Sequence, residues 1–254
     1  MKLQKFTKNT FKCKKLYNKI SSRKMSAMKK SGVLSFEELK KKSNEGEIDT
    51  VLVAFTDLVG RYMGKRYDAP YFVKGDGLKQ SGICDYLLTL NVDMSVNDGY
   101  KLSNWKKGYG DFFIVPDFNT CRVIDWQDKT AMIICDVVGK DGKYLNEAPR
   151  TILRNQIDRA NQLGFSINIA SELEYYIYLN SYRDANKSKY MNLEPIGWDI
   201  EDYHILQGTR EEIINAKVRK SLRNAGIEVE CTKGEYGKGK KKIQNMKIKN
   251  LKKN

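Results

Sequence analysis

Histidine is nearly absent from this chain of 254 residues, and its cysteines form no close pair. The single histidine, His204, excludes any multi-histidine metal centre within the chain. Cys13, Cys84, Cys121, Cys135 and Cys231 are odd in number, widely spaced and without a CxxC, so neither a disulfide framework nor a zinc site is signalled. A reducing, cytoplasmic compartment is the simpler reading. Any metal must then rely mainly on carboxylates, which suits hard cations such as Mg or Mn. Long apolar runs are missing too: charge or glycine interrupts every hydrophobic stretch well short of the roughly 20 residues that a membrane-spanning helix requires. No membrane partner is expected. Yet 41% of the residues are hydrophobic, enough to bury a real core in one large domain or two smaller ones.

Acid is what the two ends lack. Residues 1–36 hold eleven Lys or Arg and no acid, and residues 237–254 hold eight Lys and no acid. The net charge of +15 therefore sits in the ends, while residues 37–236 carry 27 bases against 31 acids. Clustered cations attract polyanions such as nucleic acid, but a mildly acidic middle argues against a specific nucleic-acid partner. Residues 1–34 read as a basic tail, with a mitochondrial or other organellar targeting segment as the alternative. One Arg among the first 30 residues and no clear amphipathic period weigh against targeting.

From Phe36 the pattern turns globular. Ser35 and Glu38 have capping-box spacing and predict a short helix over 36–42. The β-branched run at 50–55, a turn at 57–60 and residues 61–66 predict a hairpin. Further strands are expected at 86–90, 111–115, 121–126 and 131–138, with a helix near 70–80. Pro149 opens a different texture, in which Ile152, Leu153, Ile157, Ala160 and Leu163 recur at helical spacing before Gly164. A second amphipathic helix is expected at 210–225, capped by Thr209 with Glu212 and burying Ile214, Val218, Leu222 and Ala225, before a strand at 227–231.

Between these helices, residues 165–178 alternate. Phe165, Ile167, Ile169, Leu173, Tyr175 and Ile177 share one face, and Glu172 and Glu174 share the other. Two residues of strand rise set the acids ~6.8 Å apart at the backbone, near enough for both carboxylates to line one pocket. Like charges this close repel unless cations neutralise them. Two ordinary acids on a solvated strand face are the plainer alternative.

Paired glutamates in SELEYYIY (171–178), followed by GIEVECTKGEYGKG (226–239), resemble the opening of the catalytic domain of glutamine synthetases and their γ-glutamyl-amine ligase relatives. DLVGRYMGKR (57–66), GYGDFFIVPD (108–117) and the stretch from Thr120 through Trp126 to ICD (134–136) are similar to that family's N-terminal β-grasp domain. The resemblance covers about residues 36–239. It implies an α+β fold: a β-grasp domain at 35–147, then the first part of a glutamine synthetase-type catalytic α/β domain at 148–239, with 240–254 as a lysine-rich divergent tail. Glu172 is similar to a ligand of the metal nearer the glutamate substrate, and Glu174 and Glu235 to ligands of the metal that bridges the ATP phosphates. The reaction implied is ATP-dependent ligation of ammonia or another amine to the γ-carboxylate of glutamate through γ-glutamyl phosphate, in nitrogen assimilation. The implied cofactors are Mg or Mn, with ATP as co-substrate. The implied partners are glutamate, the amine and further subunits of a homo-oligomer, since in this family the β-grasp domain of one subunit completes its neighbour's pocket.

The sequence also departs from the family. After Gly239 the family continues with Gln and acidic residues that include a third glutamate of the second metal site, whereas this chain has Lys240, Lys241 and Lys242. A protonated lysine cannot ligate a metal. The family's metal-binding histidine, its last metal-binding glutamate and the arginines that clamp ATP and glutamate are expected beyond residue 254. The chain thus resembles a C-terminally truncated ligase, and turnover by the chain alone is not expected. A non-catalytic interaction or regulatory fragment of the same fold is the alternative. His204, within GWDIEDYHIL, does not match the metal histidine and reads as structural. Asp93 and Asp98 lie near the region of the ammonium-handling acid without the family's Asp-Gly-Ser pattern, so the acceptor amine stays open. Gly234, Gly237 and Gly239 follow a strand without the G-x-G-x-x-G-to-helix context of a phosphate loop.

Overall fold

The computed structural model describes residues 32–75 and 81–245, and its first half is built around a mixed sheet. Helix α1 (Phe36–Asn44) starts where its capping box predicts: Ser35 Oγ accepts from the Glu38 amide at 3.3 Å and the Glu38 carboxylate accepts from the Ser35 amide at 2.9 Å. Strands β1 (Thr50–Thr56) and β2 (Tyr62–Asp68) form the expected antiparallel hairpin. Its loop is fastened by Asp57, whose carboxylate accepts from the Arg61 amide at 2.8 Å and from Arg61 Nε at 2.7 Å. The expected helix near 70–80 is short, α2 (Ala69–Val73), and residues 76–80 lie outside the described residues.

One expectation shifts here. The predicted strand at 86–90 is a 3₁₀ turn (Asp85–Leu88), and the strand is β3 (Ser81–Cys84), just before it. Tyr86, Leu87 and Leu88 form an apolar run too short to choose between extended and helical backbone by pattern alone. Strands β4 (Asp111–Pro116), β5 (Arg122–Ile124) and β6 (Thr130–Val138) follow. The sheet order is β2-β1-β6-β4-β3, with β5 also on β6. β6 is the hinge of this layout: it runs parallel to β1 along residues 130–134, while its opposite edge takes β5 and then β4 in succession.

Alternation along β1 divides the core between two faces. Val51, Val53 and Phe55 point into the main cluster with Leu39, Phe72, Phe112, Ile114, Ile133 and Val137, under α1 and α2. Ala54 points the other way, onto Ile124 and Met132. Cys121 and Cys135 are buried free thiols, and burial pushes both up to about 12.

The second half begins with α3 (Pro149–Gln162) and ends its first turn of chain at Gly164, whose φ of +81° is the left-handed stop expected there. Its apolar residues are not buried as the pattern predicts: Ile152 and Leu153 are about half exposed, and Phe165, Ile169 and Leu173 are exposed as well. No part of the described chain covers that side. Of the expected strand at 165–178, only β7 (Glu172–Tyr176) is extended and paired. Helices α4 (Tyr182–Lys187), α5 (Ile205–Gly208) and α6 (Glu212–Asn224) come next, then β8 (Val229–Gly234) and β9 (Lys240–Asn245). The Thr209–Glu212 capping box does not form. Thr209 Oγ1 donates back to the Ile205 carbonyl, and Arg219 engages the Glu212 carboxylate.

Residues 240–245, expected to start a divergent tail, are instead the middle strand of a three-stranded antiparallel sheet, β7-β9-β8. Ile243 supplies the physical reason, since it is buried beneath this sheet and anchors the strand. Of the expected basic tail or targeting segment at 1–34, residues 1–31 lie outside the described residues, whereas Val33 bridges to Arg122 and Leu34 is buried in the first core; the remainder of the lysine-rich end, 246–254, also lies outside the described residues. Among the described residues no helix is long and apolar enough to cross a membrane.

Candidate functional site

The β7-β9-β8 sheet sorts its charged residues by pleat. In the β7–β9 register Glu172 faces Gln244, Glu174 faces Lys242 and Tyr176 faces Lys240, so these six share one face. Tyr175 faces Lys241 and Leu173 faces Ile243 on the other. Glu235 follows β8 directly and is drawn over the first face, because its amide donates to the Lys240 carbonyl at 2.9 Å while its carbonyl accepts from the Asp202 amide. Glu172, Glu174 and Glu235 are therefore brought to one side of this sheet.

What meets them there is lysine. Lys242 Nζ lies 2.7 Å from Glu172 Oε2 and 3.6 Å from Glu235 Oε1. Lys240 Nζ lies 2.7 Å from Glu174 Oε2, and Lys233 Nζ 2.9 Å from Glu235 Oε1. Lys240 and Lys242 each reach diagonally, past the directly opposed residue, to a carboxylate of β7. Lys242 is held above the usual lysine range by its hydrogen bond to Glu172, and Lys240 by its hydrogen bond to Glu174. Burial works against the Lys233 ammonium, but Glu235 with Tyr203 and Asp202 outweighs it and its value is also raised. The hydrogen bond from Lys233 holds the Glu235 carboxyl below the ordinary glutamate value, with burial opposing. Among the described residues, no set of three His, Cys, Asp or Glu side chains is arranged to hold a metal ion. The donor set Glu172, Glu174 and Glu235 does not fit a divalent cation as it stands, because every member already carries an ammonium group.

The opposite face of β9 holds a second charged group that sequence reasoning missed. Lys241 is only 1% exposed and forms ion pairs with Glu211 at 2.9 Å and with Glu201. Both carboxylates are themselves buried. Burial pushes the Lys241 ammonium down to about 8. Tyr175 donates to Asn215 Oδ1 at 2.7 Å on this face and ties β7 to α6. The signal available in the sequence was period-two alternation in Lys240–Asn245, which separates Lys240 and Lys242 from Lys241 and Ile243 once that segment is read as a strand.

His204 is not among the residues brought to the Glu172–Glu174 face. It sits at the start of α5, where Nδ1 accepts from the Gln207 amide at 3.2 Å. The glycines at 234, 237 and 239 belong to the β8–β9 hairpin, and a strand follows them where a phosphate loop would need a helix. At Gly239 (φ +67°) a Cβ would come within 2.9 Å of the Ile177 carbonyl oxygen, so this hairpin packs too closely on the exit of β7 for a side chain. A cavity of about 530 Å³ opens beside β8 and α6, walled by His204, Asn215, Arg219 and Lys241 among others; Glu172 and Glu174 are not part of its wall.

Residues 146–253 match the glutamine synthetase catalytic-domain family. The match runs past Gly239, so the lysine-rich segment lies within the family's own sequence. The chain is 37% identical over 212 residues to the γ-glutamylethanolamide synthetase GlnA4 of Streptomyces coelicolor, covering 83% of this chain and 46% of that protein. It is 32% identical over 219 residues to a glutamate–isopropylamine ligase of a Pseudomonas species, covering 86% and 47%. In fold it is similar to a GmaS/ADP complex, with a TM-score of 0.64 at 19% identity over 83% of this chain and 44% of that one. The chain spans about half the length of the curated relatives it matches. Residues 146–253 thus match the glutamine synthetase catalytic domain, and the chain as a whole is similar in sequence to about half of each of these two amine ligases and, in fold, to about half of a GmaS chain.

Proposed function

We propose that this chain is a module of a glutamate–amine ligase that does not turn over by itself. The mixed sheet of residues 35–147 is read as the family's β-grasp domain, a reading supported by the parallel β1–β6 pair at its centre. Residues from 148 onward are read as the opening of the catalytic domain, supported by the convergence of Glu172, Glu174 and Glu235. The whole ligase would join an amine to the γ-carboxylate of glutamate with ATP, through γ-glutamyl phosphate. Relatives named for a γ-glutamylethanolamide product and for isopropylamine as the amine joined favour an amine larger than ammonia.

The observation that carries the reading is Lys242, set between Glu172 and Glu235 at 2.7 and 3.6 Å. Family chemistry needs Mg or Mn at such carboxylates, and these residues do not fit one, so no step is assigned to a metal here. What the chain keeps intact is the buried core of its first sheet, the part that in this family closes a neighbouring subunit's pocket. Its exposed apolar residues between 152 and 214 support an assembly in which that side is covered. Two measurements test this. Purified chain with ATP, Mg, glutamate and ethanolamine or isopropylamine should release no phosphate above background, and glutamate-dependent release would overturn the reading. Mixed with an intact γ-glutamyl-amine ligase, it should co-sediment with that enzyme; persistent separation over the full concentration range would remove the docking role.

A further inference from the structure

We infer that Lys233, Lys240 and Lys242 are the permanent counter-cations of the Glu172–Glu174–Glu235 cluster, holding as tethered ammonium groups the place where a divalent ion would otherwise neutralise it. The inference rests on reading these carboxylates as the family's metal site, and it concerns what this chain has put there.

Three carboxylates on one sheet face form an arrangement that repels itself unless cations are supplied. Here three ammonium groups supply them one for one, at 2.7, 2.7 and 2.9 Å, and Lys242 also reaches a second carboxylate. The placement is set by backbone geometry. Lys240 and Lys242 lie two apart on the central strand, so the pleat aims both at the acids of β7, and the diagonal reach gives each acid its own partner. A lysine side chain offers a compact charge on a flexible stem but no lone pair while protonated. It neutralises the cluster and cannot ligate. An incoming divalent ion would have to shed water and displace ammonium groups that are covalently part of the adjacent strand, so it meets both a like charge and an occupied donor set. The ion-pair row also ties β9 to β7 and Glu235 to β8, so the sheet carries its own cations in its sequence.

The test is titration of the full chain with Mn²⁺ alone, read by electron paramagnetic resonance, together with thermal melts in Mn²⁺ and in EDTA. The unaltered chain should bind no Mn²⁺ tighter than about 1 mM, and its melting temperature should be the same in Mn²⁺ and EDTA. Lys242→Glu, alone and with Lys240→Gln, removes ammonium and adds a fourth carboxylate. These variants should bind Mn²⁺ at least about tenfold tighter and melt higher with Mn²⁺ than with EDTA. Lys242→Arg keeps the charge and should behave as the unaltered chain. Tight Mn²⁺ binding or a Mn²⁺-dependent melt in the unaltered chain overturns the inference and leaves the family reading standing. Folded Lys242→Glu variants that gain no Mn²⁺ overturn the reading of the carboxylates as a metal site, on which the inference rests. If Lys242→Glu does not fold, Lys242→Met serves: its lowered melt should be partly restored by Mn²⁺, and no restoration counts against the inference.

Discussion

Lys240, Lys241 and Lys242 are chemically identical and meet different surroundings, because successive residues of a strand face opposite ways. Lys240 and Lys242 remain at the edge of water, whereas Lys241 is enclosed with Glu201 and Glu211. Enclosing charges is costly, and leaving one uncompensated costs more than never burying it. Lys241→Met should therefore lower unfolding free energy by about 3–5 kcal/mol in urea titration. The triple variant Glu201→Gln/Lys241→Met/Glu211→Gln should recover most of that loss. A triple variant weaker than Lys241→Met would show that packing, not charge, governs the site. At this scale the sequence was partly legible. Period two was enough to set Glu172 and Glu174 on one face, but the partners of those acids lay in a segment whose composition looked like a tail. Composition carries no information about strand pairing, so the counter-ions could not be read from it.

Elements were legible where local chemistry decides them. Ser35 and Glu38 cap α1 with each other and need no distant partner, and the β1–β2 hairpin follows from its turn. Elements decided by tertiary competition were not. The Thr209–Glu212 box fails because Arg219, two turns further along the same face of α6, takes the Glu212 carboxylate and also donates to Thr232 on β8. That pair gives α6 a pH dependence. The Arg219 hydrogen bond holds Glu212 below its ordinary value of 4.5, so its folded value is depressed. The stability it supplies is present above the unfolded value and is lost as pH falls through the lowered folded one. Melts between about pH 3 and 6 should show Arg219→Met with a shallower acid limb than the unaltered chain. Parallel limbs would mean that the pair is not linked to folding.

Across the whole described unit, the start of α3 is fastened to the first sheet, and α6 packs on both β5 and β8. Arg150 sits 3.2 Å from Asp136 on β6 and also pairs with Asp117, while Arg154 pairs with Asp136 at 2.7 Å. Asn224 at the end of α6 donates to Asp125 at 2.7 Å from the far side. Charged groups that lose a hydrogen-bonded partner near the interior cost about 1.5–3 kcal/mol. Arg150→Met should lower the urea midpoint by a corresponding amount, and Arg150→Met/Asp117→Asn/Asp136→Asn should regain part of it. An unchanged midpoint in Arg150→Met would mean that the Arg150 ion pairs contribute nothing to holding α3 on the first sheet. None of this joint was visible in the sequence, because residues 117, 136 and 150 belong to separate elements whose approach is set by the β4–β6 pairing.

The central position of β9 has a consequence in time. β7 and β8 make no ladder with each other; each pairs only with β9, which is synthesised after both. While the chain emerges, β7 must wait unpaired until β9 is made, and although β9 folds back on β8 as a local hairpin, its pairing with β7 closes a long loop, which slows folding. The incoming segment is cationic on the side that meets Glu172 and Glu174, so its charge can guide its own insertion and select the register in which each lysine finds a carboxylate. Reversing that charge would then delay the entry of the strand as well as alter what it holds.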